Sequence, residues 1–117
     1  MRSLGRHLLI DLHGCDSRQL SDVPTVQQHL VAAAKAAHAT ILDVVFHTFK
    51  PQGVSGIVVI AQSHLAVHTW PEHCFASVDI YTCGRRVDPW KALPVLKKRL
   101  KARRSTAVEL KRGVLTP

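Results

Sequence analysis

Three observations predict an α+β fold, a two-layer α/β sandwich in which one antiparallel sheet carries two helices on one face, in the order β-α-β-β-α-β. Val23, Val26, Leu30, Ala33, Ala34 and Ala37 recur at spacings of three and four, which marks the buried face of a helix. Trp90, Leu93, Leu96 and Leu100 give a second stripe of the same period. The segments around these stretches are rich in Val, Ile and Phe and end at Gly- and Pro-containing turns, so they read as strands. Elements grouped in this way favour helices packed on one side of an antiparallel sheet.

Leu4 to Leu12 is the first strand, closed by His13-Gly14, and Asp16 to Ser21 is a polar loop. Ser21 or Asp22 caps the first helix, whose early Pro24 is tolerated in the first turn. The alanines between positions 32 and 37 favour helix locally. Thr40 to Phe49 and Val54 to Ala61 are strands on either side of a Pro51-Gln52-Gly53 turn. Leu65 to Trp70 either continues the latter strand after a bend or forms a short strand of its own. Phe75 to Thr82 alternates, with Phe75, Ser77, Asp79 and Tyr81 on one face and Ala76, Val78 and Ile80 on the other. Asp88-Pro89 starts the second helix, which Pro94 kinks or delays. Thr106 to Leu110 is the last strand.

A chain of 117 residues is read as one domain, 1–117. It buries roughly 65% of its unfolded surface, enough for one core and little more. A deep site is hard to build in so small a core, so a site at a subunit interface is expected. No apolar run approaches the ~20 residues of a membrane helix. Asp11 and His13 interrupt the first apolar segment too early for a secretory signal, so the cytoplasm is the expected compartment. Cys15, Cys74 and Cys83 are an odd set without framework spacing and are expected as free thiols. The net charge is +8, much of it between Lys97 and Arg104. With no interleaved aromatics, that run reads as a solvated helix end whose cations complement the dipole rather than as a nucleic-acid patch.

The stretch from Ser63 to Glu72 holds a serine, two histidines, an indole and a carboxylate, and Cys83 follows one strand later. Hydroxyl, imidazole and thiol are the groups of nucleophilic and acid–base chemistry. Zinc accepts ligands of the types of His64, His68, His73, Cys74 and Cys83, yet the spacings fit no closed site, and no metal is expected. A serine hydrolase wants a G-x-S-x-G elbow, and Gln62-Ser63-His64 offers none. A third possibility is that Ser63 turns its hydroxyl on its own preceding carbonyl. That N-to-O acyl shift, followed by elimination, breaks the chain and leaves a dehydroalanine that hydrolyses to a pyruvoyl group. Such a ketone condenses with a substrate amine and withdraws electrons as pyridoxal phosphate does.

The chain resembles the short prokaryotic S-adenosylmethionine decarboxylases over essentially its whole length. The matching stretches are Ser3-Leu4-Gly5-Arg6-His7-Leu8, Phe46-His47, Gly53-Val54-Ser55-Gly56, Ser63-His64-Leu65, Val67-His68-Thr69-Trp70-Pro71-Glu72, Thr82-Cys83-Gly84 and Val87-Asp88-Pro89-Trp90-Lys91-Ala92. The resemblance implies cleavage between Gln62 and Ser63 into a β chain 1–62 and an α chain 63–117, with Ser63 becoming the pyruvoyl cofactor. It implies that His68 removes the proton that drives elimination, that Ser55 assists by hydrogen bonding, and that Cys83 protonates the substrate carbon after decarboxylation. Phe49 and Trp70 would flank the adenine ring of a cationic substrate, Glu72 would accept from the ribose hydroxyls, and Leu65 would be a further substrate-binding residue. It also implies a homodimer with its active sites at or near the interface, acting on a small amino-acid substrate in spermidine biosynthesis.

The chain departs from the family in three places: Gln62 stands where glutamate is usual, Ala66 where serine or threonine is usual, and His73-Cys74-Phe75 where Tyr-Gly-Tyr is common. Cleavage is expected to survive the first change, because the scissile bond belongs to the backbone. The other two bear on substrate identity, and L-ornithine or L-arginine is the alternative substrate. RNA-recognition modules share the element order and the charge, but they need aromatics in a glycine-flanked pattern that Phe46 and Phe49 do not supply. Neither nucleic acid nor membrane is expected as a partner. His7, His13, His29 and His38 are expected at the surface.

Overall fold

A computed structural model describes residues 2–116. Strands β1 (Arg2–His13), β2 (Ile41–Thr48), β3 (Val54–Ile60), β4 (Ser63–Trp70), β5 (Phe75–Cys83) and β6 (Arg104–Leu115) form one sheet in the order β2-β3-β4-β5-β1-β6. Every neighbouring pair is antiparallel. Helices α1 (Val23–Ala36) and α2 (Ala92–Arg99) pack together on one face, giving the expected two layers. The element order is β-α-β-β-β-β-α-β, with four strands between the helices rather than two. The segment after Ala61 does not prolong β3: Ile60 pairs with Ser63, so Ala61-Gln62 is a two-residue hairpin turn and β4 is a full strand.

Alternation along the strands decides what lies between the layers. Leu8, Ile10 and Leu12 of β1, Val58 and Ile60 of β3, Leu65 and Val67 of β4, and Ala76, Val78 and Ile80 of β5 are all buried. They meet Val26, Leu30, Ala33 and Ala34 of α1 and Leu96 of α2 in a single core. Each large aliphatic side chain buried in this way stabilises the fold by about 1.5–3 kcal/mol. The Asp22 side chain caps α1 by accepting from the Thr25 N–H at 2.9 Å, and Pro24 sits in the first turn. A 3₁₀ turn at Pro89–Lys91 precedes α2, so Pro94 falls in the first turn of the helix, where its missing N–H costs least.

Glu109 fastens β6 to the rest of the molecule. It accepts from Arg6 Nη2 at 2.8 Å and from Trp90 Nε1 at 2.6 Å, and it also pairs with Lys111. The Arg6 and Lys111 cations hold its carboxyl down to about 2. His29 is not a surface residue, because the α1 periodicity turns it inward and it is buried. Its Nε2 lies 2.7 Å from Gln19 Oε1, and burial holds its pKa below the usual histidine range.

Candidate active site

The sheet face away from the helices carries most of the residues singled out in the sequence. Ser55 and His68 pair across β3 and β4, and Ser55 Oγ lies 2.8 Å from His68 Nδ1. This bond fixes the plane of the imidazole and leaves Nε2 as the nitrogen free for proton transfer. Trp70, two residues on, tilts against Phe75 of β5 with ring centroids 5.5 Å apart, and His68 lies 6.4 Å from the indole. Phe49 follows β2 at the same end of the sheet, where its N–H donates to Gly53 O at 2.8 Å, and its ring is 52% exposed. Glu72 is exposed in the 3₁₀ turn that follows β4. One end of the face therefore gathers a serine–imidazole pair, two exposed aromatic faces and a carboxylate. Phe75, singled out in the sequence only as part of a departure from the family, joins this cluster by pairing with Trp70 across the tight turn between β4 and β5.

Ser63 stands at the other end of β4. Five residues of extended strand separate it from His68, a distance of about 17 Å. Its neighbour Gln62 has φ 69, in the left-handed region that favours glycine. A non-glycine residue held there stores on the order of 1 kcal/mol, and it does so on the residue that supplies the Gln62–Ser63 carbonyl. Cys83 ends β5 beside this turn, and Gln62 and Cys83 line one cleft of about 210 Å³. Gly84 makes that approach possible: its φ is 78, and a Cβ there would lie 3.3 Å from Gln62 Oε1. A strained residue directly before a serine, with a thiol in the same cleft, is a chemical setting that a pyruvoyl group made from residue 63 would fit.

The side chain of Leu65 points at the helices by the alternation along β4 and is fully buried in the core. Ala66 lies mid-strand on the open face, paired with Ile57 and Asp79. The five side chains weighed as zinc ligands are dispersed over β4, the following turn and β5. Among the described residues no three His, Cys, Asp or Glu groups cluster as a metal site requires. A larger groove of about 570 Å³ lies between the helices, lined by His29, Lys98, Arg99 and Lys101 among others, and contains none of the residues of this site.

The fold and this arrangement define a small α+β protein with complementary chemical groups at the two ends of one sheet. Residues 6–113 match the family model described as S-adenosylmethionine decarboxylase. The chain is 52% identical over 114 residues to the S-adenosylmethionine decarboxylase proenzyme of Caldanaerobacter subterraneus subsp. tengcongensis, covering 97% of this chain and 92% of that one. It is 51% identical over 117 residues to the proenzyme of the same name from Moorella thermoacetica, covering 100% and 94%. The crystal structure of the adenosylmethionine decarboxylase from Aquifex aeolicus VF5 superposes with a TM-score of 0.91 at 34% identity, over 99% of this chain and 96% of that one. The chain belongs to the S-adenosylmethionine decarboxylase family.

Proposed function

We propose that this protein is a self-processing, pyruvoyl-dependent decarboxylase of S-adenosylmethionine that supplies the aminopropyl donor for spermidine synthesis. The observation that carries the reading is the turn at Gln62. A left-handed, non-glycine residue immediately precedes the serine that opens β4, at a two-residue hairpin turn. Ser63 Oγ attacks that carbonyl carbon, and the amide becomes an ester. A base then takes the Ser63 α-proton and the chain divides into residues 1–62 and 63–117. The pyruvoyl ketone, once formed, supplies an electron sink for loss of carbon dioxide from the substrate.

The chain's own residues then bind and move protons. His68 is the base of the elimination; with Nδ1–H donating to Ser55, its Nε2 is free to accept. Cys83 returns a proton to the substrate carbon after carbon dioxide leaves. Phe49 and Trp70 hold the adenine between them, a contact that favours a cationic ligand, and Glu72 accepts from the ribose hydroxyls.

His68 lies too far along β4 to reach Ser63 of its own chain, so the reading requires a homodimer. Two copies stacked antiparallel through their open faces bring the Ser55–His68 end of each against the Ser63–Cys83 end of the other, giving two equivalent sites. The composition of that face supports this. Val45, Ile57, Leu9 and Val108 lie in one register row across the sheet, and Val45, Ile57 and Val108 are 47%, 44% and 58% exposed. Ala66 and Asp79 complete the row between Ile57 and Leu9, so exposed apolar side chains lie on either side of one carboxylate. Exposed apolar groups clustered on one face mark an interaction site.

Carbon dioxide release from carboxyl-labelled S-adenosylmethionine, L-ornithine and L-arginine tests the assignment. Release from the first is expected. Release only from ornithine or arginine would overturn the substrate, and release from none would overturn the activity.

A further inference from the structure

Self-cleavage at Gln62 creates a charge that the uncut chain lacks. Loss of the Ser63 α-proton breaks the bond between Ser63 Cβ and the ester oxygen. The electron pair leaves with that oxygen as a carboxylate on Gln62. Residue 63 becomes dehydroalanine, which takes up water and releases ammonia. The β chain then ends in a carboxylate that is ionised at neutral pH.

We propose, resting on the self-processing reading of Ser63, that Arg85 and Arg86 form a binding site for this newly made C-terminal carboxylate and hold the Gln62 end in place after the cut. The cleft of about 210 Å³ at the turn is lined by His38, Gln62, Cys83, Gly84, Arg85 and Arg86 among others, and no lining residue is acidic. Among the described residues no salt bridge engages either arginine. The nearest acid in sequence, Asp88, is occupied elsewhere: its Oδ1 accepts from Trp90 N at 3.1 Å and lies 3.9 Å from Arg6 Nη1. The uncut chain therefore presents two cations without a salt-bridge partner in the cleft that Gln62, whose carbonyl becomes an anion, also lines. A guanidinium matches a carboxylate with two parallel hydrogen bonds. Capture matters because Gln62 is strained in the uncut turn and loses its covalent tie on cleavage. Left free, the new terminus would compete beside Cys83 with the substrate's own carboxylate.

Thermal unfolding of four proteins tests this: the natural chain and an uncleavable Ser63→Ala chain, each with and without Arg85→Gln plus Arg86→Gln. In the cut protein the double substitution is expected to lower the midpoint by about 4 °C at low salt, with the loss shrinking in 1 M sodium chloride. In the Ser63→Ala background it should leave the midpoint unchanged or raise it, because only like charges are removed. Arg85→Lys plus Arg86→Lys, which keeps the charge and loses the paired hydrogen bonds, should give a midpoint in the cut protein between those of the natural chain and of Arg85→Gln plus Arg86→Gln. Equal losses in the cut and uncut backgrounds would overturn the proposal. Intact mass, measured on the same samples, separates the two readings. An uncut natural chain overturns self-processing and this site together, whereas a cut chain with equal losses overturns the site alone.

Discussion

Ser55 Oγ and His68 Nδ1 lie 2.8 Å apart across neighbouring strands, and the bond joins a hydroxyl that has no core role to an imidazole ring at the open face. Replacing His68 by alanine removes the base that drives elimination, a contribution of about 10²–10⁴ in rate. The chain is then expected to stall as the ester. Its mass stays that of the uncut chain, and hydroxylamine cleaves it at Gln62. Ser55→Ala frees the ring and should slow processing by a smaller factor. Time courses of cleavage by mass spectrometry check both.

Phe49→Ala should raise KM for S-adenosylmethionine about 5- to 30-fold and lower kcat far less, because the ring's contact is made equally with substrate and transition state. Trp70→Ala should show the same split together with lower stability, since the indole also packs on Phe75. Steady-state kinetics and urea unfolding separate the two effects.

Gly56 has no room for a side chain, because a Cβ there would overlap the ring of Phe46, its partner across β2 and β3. Gly56→Ala is expected to cost about 1–3 kcal/mol, read as a lower urea midpoint with an unchanged slope.

Glu109 ionises well below an ordinary glutamate, first through its hydrogen bond to Arg6 and then through that to Lys111. Its folded pKa of about 2 lies beneath the unfolded value, so its contribution is present above about pH 4.5 and is lost as pH falls toward about 2. Stability of the natural protein should therefore fall more steeply over that window than stability of Glu109→Gln. Urea midpoints measured at pH 7, 4 and 3 check the slope.

Burial pushes the Cys15 thiol up to about 11, and Cys15 is 3% exposed. Iodoacetamide at pH 8 should leave Cys15 unmodified in the folded protein and alkylate it in urea, as peptide mass mapping will show.

Local features are legible in the sequence and long-range ones are hidden. The Asp22 cap and the apolar stripe of α1 are encoded within a few residues, and the helix begins and ends where they indicate. Likewise Asp88-Pro89 and Pro94 mark where α2 begins. Strands β1 and β6 extend beyond their apolar cores because backbone pairing from Arg2–Leu115 to His13–Arg104 carries polar ends along. The β4 hairpin is ambiguous in the sequence because Ala61-Gln62 lacks the Asn-Gly or Gly that usually announces a two-residue turn; Gln62 adopts the left-handed conformation instead. His29 departs from expectation because its chemical type suggests exposure, whereas its position in the helical repeat turns it toward the core. The separation of Ser63 from His68 is implicit in a spacing of five residues, but only once both are known to lie on one continuous strand.

The intact mass of purified natural protein, compared with Ser63→Ala, tests the central claim most directly. The account predicts two chains, residues 1–62 and 63–117, the second lighter than a simple hydrolysis product by the mass of ammonia, while Ser63→Ala stays whole. A single uncut mass for the natural protein after prolonged incubation, or a second chain that keeps an N-terminal serine, would contradict it.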